Sequence, residues 1–270
     1  MLPLIVEPDV LEKALAHDQL LLIDLCSEEL YPRHHLPGAI HVSPAELVSG
    51  IKPAVGKLPP LSRLNELFSR IGYTPEKHIV AYDDEGGGWA GRFIWTLDVI
   101  GHHQASMLNG GIIAWAAEQK PLTNEVPQVT PTQNDLSINT EVIAEKDDIL
   151  QSLDDASVQI WDARSPEEYF GQKVVAARGG HIPGAINLDW LELMDRNNQL
   201  RLRADLAEYV ASRGFDQSSE IITHCQTHHR SGLTYLAGKS LGLKMRAYHG
   251  SWSEWGNDPD TPIETGTNQR

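Results

Sequence analysis

Cys225 is the residue whose surroundings most resemble a reactive centre. It lies in the stretch IITHCQTHHRSGLTYLAGKSLG, where an apolar run precedes it and His224, His228, His229 and Arg230 flank it. Leu233, Leu236, Ala237 and Leu241 follow at helical spacing, so Cys225 is placed where a strand ends and a helix begins. At the carboxyl edge of a parallel sheet, the unpaired amides and dipole of the following helix favour an anion. A thiol there, with Arg230 close behind it, is expected to have a lowered pKa and to act as a thiolate nucleophile. A buried structural cysteine would have no use for the neighbouring cations. For His224, next to the strand, a loop residue without a role is the favoured reading.

The elements that must position this loop occur twice. LLIDLCSEELY (21–31) followed by HLPGAI (35–40) recurs as IWDARSPEEYF (160–170) followed by HIPGAI (181–186). HIVAYDD, around Asp83, recurs as EIITHCQ around Cys225, and LNGGIIAW ending at Trp115 recurs as YHGSWSEW ending at Trp255. The offset is about 140 residues, the size of a whole domain. Short apolar runs (LLLID, HIVAY, VQIWD, EIITH) alternate with helical patterns, which indicates an α/β fold with a mainly parallel sheet flanked by helices in each half. Leu61, Leu64, Leu67, Phe68 and Ile71 before Gly72, and Leu206, Tyr209 and Val210 before Gly214, predict two core helices with glycine stops. The expected organisation is a first domain over 1–121, a polar, proline-bearing linker over 122–139 and a second domain over 140–270.

Composition narrows the function classes. Of the 270 residues, 41% are hydrophobic, yet no apolar run approaches the roughly 18 residues of a membrane span. The N-terminus lacks the basic start and small-residue cleavage site of a secretory signal, so a cytoplasmic location is expected. A formal net charge of −15, with 22 scattered basic residues, argues against a nucleic-acid partner. The two cysteines, Cys26 and Cys225, are too few for a disulfide framework or a structural zinc site. Neither a metal nor an organic cofactor is expected.

HCQTHHRSG approaches the phosphatase signature in which a Cys and an Arg enclose five residues, but here only four separate Cys225 from Arg230. The shorter ring makes a smaller cradle, better suited to sulfur than to phosphate. Together with Asp162 and Arg164, GHIPGA (180–185) and GSWSEW (250–255), this loop makes the chain resemble a two-domain rhodanese along nearly its whole length. Within that family the CQTHHR loop is similar to that of the thiosulfate sulfurtransferase type found in Azotobacter, and it departs from the CRKGVT and CGSGVT loops. The resemblance implies tandem rhodanese-like domains and a sulfurtransferase. Cys225 would take sulfane sulfur from thiosulfate as a persulfide and pass it to cyanide or a thiol. A persulfide carrier delivering sulfur to a protein acceptor is the alternative.

By the same resemblance Arg230 would bind the donor's oxygens, or brace the loop by a salt bridge, and Gln226, Thr227, His228 and His229 would line the pocket. Arg164 would lie at its mouth, or pair with Glu167 or Glu168 at the surface, and Trp190 would line the donor site. Asp24 and Asp162 occupy matching strand ends and read as structural. The first domain, with Asp83 in the cysteine position of YDDEGGGWAGR and acidic neighbours, is expected to be a non-catalytic structural partner. Its glycine run lacks the lysine of a phosphate-binding loop. Cys26 has no cationic neighbours and reads as inert.

Overall fold

The structure is a computed structural model that describes residues 2–266. The described residues divide into two compact units, the first comprising 2–47, 59–139 and 194–202, and the second 48–58, 140–193 and 203–266. In the first, strands β1 (Ile5–Val6), β2 (Leu20–Asp24), β3 (Ile40–His41), β4 (His78–Tyr82) and β5 (Ala105–Leu108) form a parallel sheet in the order β1-β5-β4-β2-β3. Helices α1 (Pro8–Ala14), α2 (Leu61–Arg70), α3 (Gly88–Val99) and α4 (Gly111–Ala117) connect them. The central strands are buried along almost their whole length, which is why they read as continuous apolar runs.

The second unit repeats this plan with β6 (Ile143–Ala144), β7 (Val158–Asp162) and β8 (Ile186–Asn187). A short antiparallel pair, β9 (Met194–Asp195) and β10 (Arg201–Leu202), interrupts it in sequence and is grouped with the first unit. Strands β11 (Glu220–His224) and β12 (Lys244–Tyr248) then complete a parallel sheet of order β6-β12-β11-β7-β8. Its helices are α5 (Lys146–Ser152), α6 (Pro166–Tyr169), α7 (Leu206–Ser212), α8 (Arg230–Ser240) and α9 (Ser251–Trp255). The two expected core helices are α2 and α7, and Gly72 and Gly214 beyond them adopt φ of +70° and +95°.

The repeated motifs make the same contacts in both units. The Tyr31 and Tyr169 hydroxyls donate to the carbonyls of Ala39 and Ala185 at 2.9 and 2.6 Å. Each tyrosine ring stacks on the histidine that opens the next motif, Tyr31 on His35 and Tyr169 on His181. The closing tryptophans, Trp115 and Trp255, are fully buried, and their indole N–H groups donate to Pro121 and Pro262 carbonyls at 2.7 and 2.8 Å. Truncating such a side chain typically costs about 3–5 kcal/mol, so these residues serve the core.

Residues 122–139 carry no helix or strand, but they do not behave as a free tether. Thr123 bridges to His35, Thr132 donates from its N–H to the Ser69 carbonyl and from its hydroxyl to the Tyr73 carbonyl, Leu136 N–H donates to Asn65, and Asn139 N–H donates to Val99. The stretch is therefore pinned along the first unit, a role that its polar composition does not reveal.

Candidate active site

Strand β11 is the central strand of the second sheet, and Cys225 follows its last residue. The Ala163 amide, just after β7, donates to the His224 carbonyl at 2.9 Å, which fixes the point where the chain leaves the sheet. Beyond it the loop is gripped from α9: Trp252 N–H donates to the Cys225 carbonyl and Ser253 N–H to the Gln226 carbonyl, both at 2.9 Å. The Cys225 amide donates to Ser251 Oγ at 3.3 Å. His228 has φ +56°, a left-handed conformation that costs a non-glycine residue roughly 1–2 kcal/mol and lets the chain turn into α8.

Cys225 is 1% exposed. Burial by itself would push its thiol up, but the Arg230 charge, the hydroxyl and amide of Ser231, and His229 together hold the pKa below its ordinary value. The result is a buried thiol that ionises more readily than a free one. His228 Nδ1 lies 2.7 Å from Ser231 Oγ, and a ring proton on Nδ1 donates to that oxygen and leaves the hydroxyl hydrogen for the sulfur. Ser231 is thus a functional residue that sequence reasoning missed. Its signal was the serine directly after Arg230 in the Cys-loop-Arg-Ser pattern.

The charge beside the sulfur is itself fixed. Arg230 makes a two-pronged ion pair with Glu168 of α6, at 2.6 Å (Nη1 to Oε2) and 2.9 Å (Nη2 to Oε1). Burial would raise the Glu168 carboxyl, and the Arg230 bonds hold it below its usual range. Asp162, fully buried at the end of β7, is likewise held to about 2 against burial by Arg164 and His224.

The rhodanese-like domain family matches residues 7–118 and 145–258. The chain belongs to that family. It is 51% identical over 264 residues to a thiosulfate sulfurtransferase of Azotobacter vinelandii, with 97% of each chain covered. A thiosulfate sulfurtransferase of Pseudomonas aeruginosa is 50% identical over the same share of both chains. Among solved structures, the Escherichia coli 3-mercaptopyruvate sulfotransferase SseA, with the rhodanese fold, superposes with a TM-score of 0.81 at 25% identity, covering 93% of this chain and 99% of that one.

Within the second rhodanese-like domain, the expected site residues separate into those near the sulfur and those built into its walls. Arg230, His229 and Ser231 act on Cys225 directly. Trp190 lies beside His229, with ring centroids 5.6 Å apart. Gln226 Nε2 donates to the Val175 carbonyl at 3.4 Å, and Gln226 and Thr227 are partly exposed at the loop's surface. His228 is buried and turned toward Ser231. His224, also buried, donates from Nδ1 to the Cys225 carbonyl at 3.2 Å, and burial lowers its pKa against the opposing pull of Asp162.

Arg164 differs most from its expected place. It is buried, not at a pocket mouth, and its carboxylate partner is Asp162 rather than Glu167 or Glu168. It also donates to the Gly180 carbonyl at 2.8 Å and lies over the Trp252 ring at 4.2 Å. The spacing of Asp162 and Arg164 along the chain permits this pair, but only the burial of both makes it the favoured one. Arg230, the expected oxyanion binder, takes the Glu168 partnership instead.

In the first rhodanese-like domain the loop after β4 folds around its own side chain. Asp83 Oδ1 accepts from the amides of Glu85, Gly86 and Gly87 at 3.2, 3.1 and 2.8 Å, and Oδ2 from Ala90 at 3.0 Å. Cys26 is buried, and burial with the charges of Asp24, Asp84 and Asp83 pushes its thiol far up, as an inert cysteine requires.

Proposed function

We infer that the chain is a thiosulfate sulfurtransferase in which Cys225 carries the transferred sulfur. The observation that carries this reading is a buried thiol whose ionisation is nevertheless favoured by Arg230, Ser231 and His229. The thiolate attacks the outer sulfur of thiosulfate, the sulfur–sulfur bond breaks, and sulfite leaves with the electron pair. Cys225 then holds an anionic persulfide, stabilised by the same guanidinium and Ser231 donors. Cyanide or a thiolate attacks the terminal sulfur, and the Cys225 thiolate is released for another cycle. Gln226, Thr227, His229 and Trp190 form the approach to the sulfur, while His228 works through Ser231. Arg164 supports the site by neutralising Asp162. The first domain, whose loop starts with Asp83, takes no sulfur.

A second acceptor class is favoured by one surface feature. Val174 and Val175 are 55% and 45% exposed, and the latter's carbonyl is bonded to Gln226 beside the sulfur. An apolar tip at that place suits contact with a protein thiol. Comparing transfer rates to cyanide with those to a protein thiol separates the two acceptors.

Intact-mass measurement after thiosulfate treatment tests the central claim. One added sulfur is expected on the parent, removed by cyanide and absent from Cys225→Ser. Absence of the added sulfur on the parent overturns the assignment.

A further inference from the structure

The segment 48–58 belongs in sequence to the first repeat, between β3 and α2, yet it is grouped with the second unit. It is a looped strap, closed on itself by Ser49 N–H donating to the Lys57 carbonyl at 2.7 Å and Gly50 N–H to the Val55 carbonyl at 3.0 Å. Its far end is clamped. Lys57 Nζ sits between Glu145 Oε2 at 2.8 Å and Glu254 Oε1 at 2.9 Å. Leu58 N–H donates to His249 Nδ1 at 3.1 Å, so the His249 proton is on Nε2, where it donates to Glu145 at 3.1 Å.

The clamp brings Gly56 against the active loop. A Cβ on Gly56 would lie 2.0 Å from the Thr227 carbonyl oxygen, 2.5 Å from its carbon and 2.9 Å from its Cα. Only a Cα–H fits there, and it is aimed at that oxygen. Three successive loop carbonyls are therefore engaged from outside: Cys225 by Trp252, Gln226 by Ser253 and Thr227 by Gly56. In a planar trans peptide the N–H points opposite to the C=O, so holding the Thr227 carbonyl on the strap keeps the His228 N–H turned away from it. His228 has φ +56°, and a peptide next to a left-handed residue is the one that flips most readily in a turn.

We propose that the 48–58 strap, through Gly56 and its Lys57 clamp, is a positioning element that locks the Thr227–His228 peptide and so keeps the loop's amides gathered around the Cys225 sulfur. The proposal rests on Cys225 being the sulfur carrier, but its geometry can be tested without sulfur transfer. The strap acts through the loop.

The test compares the parent, Gly56→Ala, Lys57→Ala and Lys57→Arg. The pH profile of Cys225 alkylation by iodoacetamide is read at the peptide level, with kcat and KM for thiosulfate alongside. Gly56→Ala is expected to shift the alkylation profile upward by about one pH unit, which lowers reactivity at neutral pH about tenfold, and to lower kcat more than it raises KM. Lys57→Ala is expected to give a smaller shift in the same direction, and Lys57→Arg to restore the parent profile. Ile51→Ala, at the strap's 67%-exposed tip, is expected to match the parent. Parent-like alkylation profiles for both Gly56→Ala and Lys57→Ala overturn the proposal, whatever their melting temperatures. Should Gly56→Ala not fold, the Lys57 pair decides by the same criterion. If the parent takes no sulfur from thiosulfate, the proposed activity fails, while the alkylation comparison still decides the strap.

Discussion

The loops after β4 and β11 have the same topological place and opposite contents. Each leaves the central strand of a parallel sheet, each has its first carbonyl bonded by the closing motif (Ile112 N–H to Asp83, Trp252 N–H to Cys225), and each has a residue of positive φ three positions on, Gly86 or His228. In the first loop the amides converge on the Asp83 carboxylate, so the chain supplies its own anion. In the second the leading side chain is a thiol, with Arg230, His229 and Ser231 around it. The difference teaches that the fold makes the anion cradle, and that the residue leading into it decides whether the cradle is filled or kept for a transferable atom. The strand ends before the cradles differ in the same sense. Asp24 accepts from the Cys26 amide, whereas Asp162 is neutralised by Arg164, so the second cradle has a cation where the first has a thiol.

The sharpest way to break this contrast is to remove the cation from the second loop. Arg230→Ala is expected to lower thiosulfate turnover on the order of a hundredfold and to raise the pH midpoint of Cys225 alkylation. It also strands the Glu168 carboxylate, and chemical denaturation is expected to report a loss of about 3 kcal/mol. Arg230→Lys separates the two effects: the charge returns and part of the thiol reactivity with it, but the two-pronged pair does not. Equal recovery of stability and reactivity by lysine would show that the fork geometry is unimportant.

A smaller effect is expected in the first loop. Burial and the Glu85 charge push Asp83 up to about 6, against the loop amides that favour its ionised form. The folded pKa exceeds the unfolded value, so this group's contribution to stability is complete below about 3.8 and is lost as pH rises through about 6. Asp162 has the opposite sign: held to about 2, it stabilises above about 3.8, and that contribution is lost as pH falls through about 2. Unfolding free energies from chemical denaturation between pH 4 and pH 7.5 are therefore expected to fall less with rising pH in Asp83→Asn than in the parent, with a difference of at most about 3 kcal/mol. Thiosulfate turnover of Asp83→Asn is expected to equal that of the parent. Identical pH dependence in the two proteins would show that the self-filled cradle is not strained.

His229 supplies the least of the named influences on the sulfur. His229→Ala is expected to slow Cys225 alkylation at neutral pH by a factor of about two to three, the smallest effect of the set. An alkylation rate equal to the parent's would assign His229 a packing role against Trp190 instead.

The sequence by itself determined the duplication, the parallel α/β plan, the strand-to-helix junction holding Cys225 and the aspartate standing in its place in the first repeat. These follow from periodicity and from short motifs whose contacts are local: a tyrosine meeting the carbonyl eight or sixteen residues on, a tryptophan meeting the proline beyond its helix. Only the tertiary structure decided that Arg164 belongs to Asp162 and Arg230 to Glu168, that residues 122–139 are pinned along the first unit, and that Gly56 backs the Thr227 carbonyl. Several carboxylates lie within reach of each arginine along the chain, and a glycine in a polar stretch carries no signal of what will press against it. Which charges meet, and which backbone atoms approach too closely for a side chain, is settled by the packing of segments far apart in sequence, where burial raises the cost of every wrong partner.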